Sequence, residues 1–169
     1  MKKGEFYSFN MKGWKEPICG VIEYIGSEWI LTKNIVSDYI FDGYSLIQRK
    51  YIKDQLYDNV TIFTEKVLLA KGIMDINIPY NIPLDSQIAP FEWLREHGIT
   101  AEFSPKNEDI CYVGKVTVFS KKYFQFISLS PRGCWDSDIY ECTFANIRAI
   151  SIDTDYTNSL LIYNEKFEK

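Results

Sequence analysis

The sequence predicts a mainly β protein in which two small β-barrel repeats, residues 1–60 and 111–169, are joined by an acidic segment, 61–110, holding one or two short helices. Three observations carry this reading. First, Cys19-Gly20-Val21-Ile22-Glu23 and Val113-Gly114-Lys115-Val116-Thr117 open two segments that run in parallel, their glycines 94 positions apart. The same offset pairs Trp29 with Tyr123 and Asp42 with Asp136; one inserted residue later, Tyr51-Ile52-Lys53 stands opposite Asn146-Ile147-Arg148 at an offset of 95. A match at fixed offset marks one supersecondary unit used twice. Second, aromatics reach 16%, with 12 Tyr and 11 Phe, and such rings suit pleated, half-buried strands. Third, short apolar runs alternate with turn residues at close spacing, which favours a small barrel over an open sheet and removes free edges.

The first repeat starts after Pro17. Ile18 to Ile25 reads as a strand ending at the turn pair Gly26-Ser27, and Glu28-Trp29-Ile30-Leu31-Thr32 as the next. Asp42-Gly43 is a hairpin signal, because glycine accepts the positive φ such turns require, and Tyr44 to Ile47 returns from it. Arg49 to Lys53 reads as a short crossing strand or a tight helical turn. The second repeat follows the same plan. Tyr112 to Phe119 is a strand, Ser120-Lys121-Lys122 a turn, and Tyr123 to Leu129 alternates as a half-buried strand does. Pro131-Arg132-Gly133 turns the chain, Asp138 to Phe144 comes back, and Asn146 to Ile152 finishes the sheet, with Ser159 to Tyr163 as a last short element.

Between the repeats the period changes. Thr64 to Lys71 holds helix formers and ends at Gly72, a favoured C-terminal cap. Ile78-Pro79-Tyr80-Asn81-Ile82-Pro83 reads as extended chain, and Pro90 opens a second helix through His97, stopped by Gly98. These helices are expected to pack across the barrels.

An early glycine in the first strand, an aromatic-rich second strand, the hairpins at Asp42-Gly43 and Gly133-Cys134-Trp135-Asp136, and the closing Asn146-Ile147-Arg148-Ala149-Ile150 resemble an Sm-like small β-barrel. The tandem form, with Tyr112-Val113-Gly114-Lys115-Val116 and Asp155-Tyr156-Thr157-Asn158-Ser159-Leu160, is similar to a family of uncharacterised bacterial proteins built from tandem Sm-like repeats. The resemblance spans most of residues 17–163 and implies a fold but no activity. Sm-like barrels that bind RNA carry Asp-x-x-Asn after the second strand and Arg-Gly before the last. The corresponding places here hold Thr32-Lys33-Asn34-Ile35, Leu129-Ser130-Pro131-Arg132, Arg49-Lys50-Tyr51 and Phe144-Ala145-Asn146, so no RNA-binding residues carry over.

Net charge is −4 and unevenly placed: residues 1–60 carry 8 basic and 8 acidic side chains, 111–169 carry 7 and 7, and 61–110 carry 4 and 8. Neither repeat has the positive field that supplies non-specific nucleic-acid affinity, which argues against such partners. Arg49, Lys50 and Lys53, or Lys121 and Lys122, read as solvated edges. The four cysteines at 19, 111, 134 and 142 include no Cys-x-x-Cys and face a single histidine, so zinc spacing fails and the thiols are read as reduced. Neither a secretory signal nor a membrane-length apolar run is evident, and a soluble cytoplasmic protein, monomeric or a small homo-oligomer, is expected.

No catalytic constellation is legible. His97, at a helix end, suits hydrogen bonding to the last carbonyls better than activation of a nucleophile. Asp136/Asp138 and Asp153/Asp155 place paired carboxylates one residue apart, an arrangement open to a cation but equally that of turn aspartates bonding their own backbone. No phosphate loop appears and no cofactor is expected. The loop aromatics Trp14, Tyr39, Phe41 and Trp135 either anchor a partner or fold back over a barrel end. With Trp93 and its neighbours Glu92 and Glu96 they form the candidate partner-binding set. The expected function is non-enzymatic binding of another protein, as an inhibitor or toxin-neutralising protein, with Sm-like RNA binding as the alternative.

Overall fold

The computed structural model describes residues 1–168, the side chain of Asp38 apart. Five strands come first: β1 (Phe6–Met11), β2 (Ile18–Ile25), β3 (Trp29–Val36), β4 (Ile40–Gln48) and β5 (Ile52–Leu56). Helices α1 (Asn59–Ala70) and α2 (Ala89–Glu96) follow. Five more strands complete the sheet: β6 (Thr100–Pro105), β7 (Tyr112–Phe119), β8 (Tyr123–Leu129), β9 (Trp135–Thr143) and β10 (Ile147–Ile152). Helix α3 (Asp155–Phe167) ends the described chain. No helix among the described residues is long and apolar enough to cross a membrane.

All ten strands join one antiparallel sheet in the order β5-β1-β2-β3-β4-β10-β6-β7-β8-β9. The halves are fused by β4 pairing with β10, Ser45 opposite Ser151 and Leu46 opposite Ile150. The sheet does not close: β5 pairs only with β1, and β9 only with β8. The closed barrels expected from the turn spacing are thus corrected to one open sheet, because β4 gives its free edge to β10, with partners from Ala149–Ile47 to Ile152–Tyr44.

Gly20 stands opposite Tyr7 on one side and Asn34 on the other; Gly114 stands opposite Ala101 and Ser128, each partner 94 positions on from its counterpart. Both glycines answer the same steric demand. A Cβ on Gly20 would meet the Lys33 carbonyl at 2.6 Å, and one on Gly114 the Ile127 carbonyl at 2.3 Å, so a neighbouring backbone approaches where only hydrogen fits. Trp29 faces Gln48 and Tyr123 faces Thr143. Phe41 opposite Ile35 and Trp135 opposite Leu129 keep the offset of 94 just before Asp42 and Asp136, and the offset becomes 95 by Tyr44 opposite Lys33 and Ile139 opposite Ile127, so the inserted residue lies between these pairs. Tight 3-10 turns at Arg49–Tyr51 and Phe144–Asn146 lead into β5 and β10.

Several expectations are corrected. Asp42-Gly43 is not a hairpin tip but lies inside β4, and the reversal is a 3-10 turn at Ser37–Tyr39. The positive φ of Gly43, +69°, instead lets β4 approach the Ile152 carbonyl, which a Cβ would meet at 2.3 Å. β1 and β6 add two strands beyond those expected from the turn spacing, and they bury their first, second, fourth and sixth residues alike. The last element is a 13-residue helix, α3, capped by Thr154, whose hydroxyl accepts from the Thr157 amide.

The helices divide the work. α1 begins at a capping box in which Asp58 accepts from the Val60 and Thr61 amides. It packs on β1, burying Leu68 with Phe6, Val21 and Ile35, and does not cross to the second half. α2 starts with Pro90 in its first turn and does cross. Its fully buried Phe91 lies 6.1 Å from the Trp29 ring of the first half and 4.6 and 4.9 Å from Phe124 and Phe144 of the second. The core of the second half is thereby completed by a side chain from outside its own strands.

A candidate binding groove where the halves meet

Along the β4–β10 seam, large and small residues alternate. Tyr44 and Leu46, with Ile150 and Ile152, enter the core beneath α2, while Ser45, Ala149 and Ser151 face the other way. Those small side chains, joined by Ser104 of β6 and Asn34 of β3, leave a groove of about 590 Å³. Ser45 and Ser151 share a hydrogen bond across its floor, Oγ to Oγ 3.2 Å.

The walls are loops. Trp14, in the β1–β2 connection, is pinned to the other half by its indole Nε1–H, which donates to the carbonyls of Pro105 (3.2 Å) and Lys106 (3.1 Å). The amides of Lys15 and Glu16 donate to one oxygen of Glu108, at 2.7 and 3.3 Å. This latch fixes an aromatic face without burying it. Tyr39 reaches the groove from the β3–β4 connection; its φ is 62°, its carbonyl accepts from Lys71 Nζ at 2.8 Å, and its ring sits edge-on to Phe63. A non-glycine residue in the left-handed region costs about 1–2 kcal/mol and persists only where its surroundings hold it.

Past Trp14 the surface continues into a second depression of about 420 Å³, which shares Trp14, Glu16, Pro17, Ile18 and Ser104 and adds Glu108, Asp109 and Cys111. Its charges are Glu16, Glu108 and Asp109 against Lys15, so this end is acidic. Cys111 is exposed as a residue, but desolvation of its sulfur, with the Glu102 carboxylate nearby at 4.0 Å, pushes its pKa up to about 11. It stays a neutral thiol at neutral pH and is no nucleophile there.

Trp14 and Tyr39, singled out as loop aromatics, line the first groove together. Phe41 does not: it is half-buried, edge-on to Tyr44 at 5.4 Å. Trp135 lies at the start of β9, half-buried beneath Lys115 Nζ, 5.2 Å from its ring centre. Glu92, Trp93 and Glu96 are on α2, away from the groove. Trp93 is buried, its ring stacked on His97 at 4.3 Å and edge-on to Tyr80 at 5.5 Å. It lines a separate cavity of about 620 Å³ with Pro79, Tyr80, Asn81, His97 and Ile99, which neither glutamate lines. The acids of the connecting segment that lie nearest the Trp14–Tyr39 groove are thus Glu108 and Asp109, in the adjoining depression. His97 Nδ1–H donates to the Trp93 carbonyl, 2.8 Å, and serves the helix end.

Among the described residues no group of three or more His, Cys, Asp or Glu is placed to hold an ion. Asp136 and Asp138 lie on β9, and Asp155 begins α3, its amide donating to Asp42 Oδ1 at 2.6 Å. Asp153 accepts from the Tyr80 hydroxyl. Burial first, then the hydrogen bond to Asp153 and its charge, raises the Tyr80 pKa and keeps that donor protonated. The serine floor was missed in the sequence, although the alternation Tyr44-Ser45-Leu46 and Ile150-Ser151-Ile152 is its signature once the two strands are known to be neighbours. Comparison with protein-family models, with curated proteins and with solved structures finds no match.

Proposed function

We propose that this chain is a non-enzymatic cytoplasmic binding protein made of two Sm-like small-barrel units fused edge to edge, and that it captures an extended segment of a partner protein in the groove between them. The observation that carries the reading is that Trp14 and Tyr39, from two different loops, both line one groove whose floor is small and hydroxyl-bearing. Aromatic anchors around a narrow polar floor suit an extended peptide, whose backbone finds hydrogen-bond partners below while its side chains meet the rings. Glu16, Glu108 and Asp109 favour a basic residue at one end of that segment and oppose phosphates. The two-unit reading is supported by the shared register around Gly20 and Gly114. An inhibitor or toxin-neutralising role is one form such capture takes.

Selection from a random peptide library tests this, run with the parent protein and with Trp14→Ala/Tyr39→Ala. Basic, extended sequences recovered by the parent and lost with the variant are expected. Equal recovery by both, or no enrichment, overturns the proposal. Submicromolar binding of mixed single-stranded RNA, lost with the same variant, would assign the groove to RNA instead.

A further inference from the structure

The extended link before α2 and the far end of that helix build a second concave surface. It is a cavity of about 620 Å³ lined by Pro79, Tyr80 and Asn81 from the link and by Trp93, His97 and Ile99 from α2 and the turn after it. The link is held rigidly. Ile82 and Leu84 are buried in the core, the Leu84 carbonyl accepts from the Glu28 and Trp29 amides at 3.1 and 3.0 Å, and the Tyr80 hydroxyl donates to Asp153. Trp93 is held as firmly, with His97 stacked on its ring at 4.3 Å and Tyr80 edge-on at 5.5 Å. Two donors are left over. Trp93 is only 8% exposed, yet its Nε1–H has no acceptor among the described residues and, unlike that of Trp29, is not sealed from solvent. The side-chain amide of Asn81, on an exposed residue, makes no hydrogen bond among them either.

We propose that this cavity binds a proline-rich segment of a partner protein in the polyproline II conformation, with a basic residue beside the prolines. Such a helix has no internal hydrogen bonds, so its carbonyls stand free, and its prolines have no N–H to donate. It needs ring surfaces for the pyrrolidines and donors for the carbonyls. Tyr80 and Trp93 supply the first, Trp93 Nε1–H and the Asn81 amide the second. Ligand and site are both ordered before they meet, which lowers the entropic cost of association. Charge sets the flanking residue. Glu92 and Glu96, four positions apart, form a stripe along α2 beside that of Trp93 and His97, and neither is in an ion pair among the described residues. Arg95 is engaged elsewhere, its guanidinium lying over Phe119, 4.3 Å from the ring centre. An arginine or lysine next to the prolines is therefore drawn to this rim, and an acidic neighbour is repelled. The site shares no lining residue with the Trp14–Tyr39 groove and is independent of what that groove binds.

The test is titration of the purified chain with an arginine-flanked decaproline peptide, followed by calorimetry and by the indole N–H signals of its NMR spectrum. Binding should move the Trp93 indole signal more than those of Trp14, Trp29 and Trp135, with Trp93→Phe identifying it. Trp93→Phe and Asn81→Ala should each weaken binding about three- to tenfold, the worth of one neutral hydrogen bond. Unchanged signals from the other three indoles show that Trp93→Phe is folded. Glu92→Lys/Glu96→Lys should weaken the arginine-flanked peptide and leave plain decaproline nearly unaffected. Trp14→Ala/Tyr39→Ala should bind both peptides as the parent does; loss of binding there would place the peptide in the groove and overturn the proposal. A glycine-serine peptide with the same arginines should not bind. If it binds as tightly as the proline peptide, charge alone suffices and the proposal is overturned. A parent that binds no proline peptide at millimolar concentration overturns it as well, and so does binding that neither Trp93→Phe nor Asn81→Ala weakens.

Discussion

The two halves share a strand order but hold themselves together differently. The first half is packed with aliphatic side chains, Ile22, Ile30 and Ile47 with Met11, Phe9 and Tyr7. It also buries an ion pair, Lys33 Nζ to Glu23 Oε1 at 2.9 Å, with Lys33 only 1% exposed and donating as well to the Met74 carbonyl at 2.7 Å. At the corresponding positions, 94 residues on, the second half has Ile127 and Thr117 and no charge. It is packed instead with rings, Phe103, Phe124, Phe126 and Phe144, completed by Phe91 from α2. One backbone plan thus tolerates a buried charge pair or an aromatic cluster, because register is fixed by backbone approach at the glycines and the filling is decided afterwards.

The comparison can be broken most strongly at Phe91. Phe91→Ala removes the ring on which Phe124, Phe144 and Trp29 converge and should cost about 3–5 kcal/mol. Denaturant unfolding should show the loss, and hydrogen exchange should place it in β8 and β10 ahead of β1 and β2. If protection falls equally in both halves, α2 does not distinguish them.

Next comes the ion pair. Glu23→Thr alone strands Lys33 in the core and should cost about 3 kcal/mol or somewhat less, since the Met74 carbonyl remains a partner. The double change Glu23→Thr/Lys33→Ile, which writes the second half's residues into the first, should recover most of that loss. A double variant no more stable than Glu23→Thr would show that the pair is needed for its own sake and that the halves are not interchangeable here.

The glycines sharpen the comparison from the opposite direction, as the point where the halves agree. Gly20→Ala and Gly114→Ala should each cost about 1–3 kcal/mol through forced separation of neighbouring strands. Gly114 should be the more sensitive, because its approach is the closer one. Thermal melts of the two variants check the order.

The smallest effect expected is at the start of α1. Hydrogen bonds from the Thr61 and Val60 amides hold the Asp58 pKa below the usual carboxylate range. A lowered folded-state pKa contributes stability above the unfolded value that is lost as pH falls through the folded one. The protection factors of the Val60 and Thr61 amides, exchange rates corrected for the intrinsic pH dependence, should therefore fall on acidification below the ordinary aspartate range. Asp58→Asn, which caps without titrating, should remove that dependence. α2, which has no side-chain cap, should not show it.

Much of this was legible in the chain. The offset between Cys19-Gly20-Val21 and Val113-Gly114-Lys115 fixed where β2 and β7 lie, and local chemistry placed α2 by its Pro90 and Gly98. Loop position drew attention to Trp14 and Tyr39. α1 begins at Asn59, five residues ahead of the Thr64 that the helix formers indicate, because the Asp58–Thr61 capping box starts it through the β-branched Val60, Thr61 and Ile62. α3 was reduced to a short element because its apolar residues, Ile162, Tyr163 and Phe167, are largely exposed and show no strong stripe.

Local patterning, then, determined that this is a mainly β chain with strands where β2, β3, β7 and β8 lie, since alternation, turn residues and obligatory glycines act over a few residues. Only the tertiary structure decided that β4 would meet β10 and that β1 and β6 would enter the sheet. It alone placed Trp14 against Pro105 and set Ser45 beside Ser151 to make a groove. The β4–β10, Trp14–Pro105 and Ser45–Ser151 contacts join residues about 90 to 110 positions apart, and β1 and β6 meet β5 and β10 about 40 to 50 positions away. Backbone hydrogen bonding between strands carries little sequence information, so such partners are chosen by which edges remain unpaired and which faces remain apolar once each half has formed.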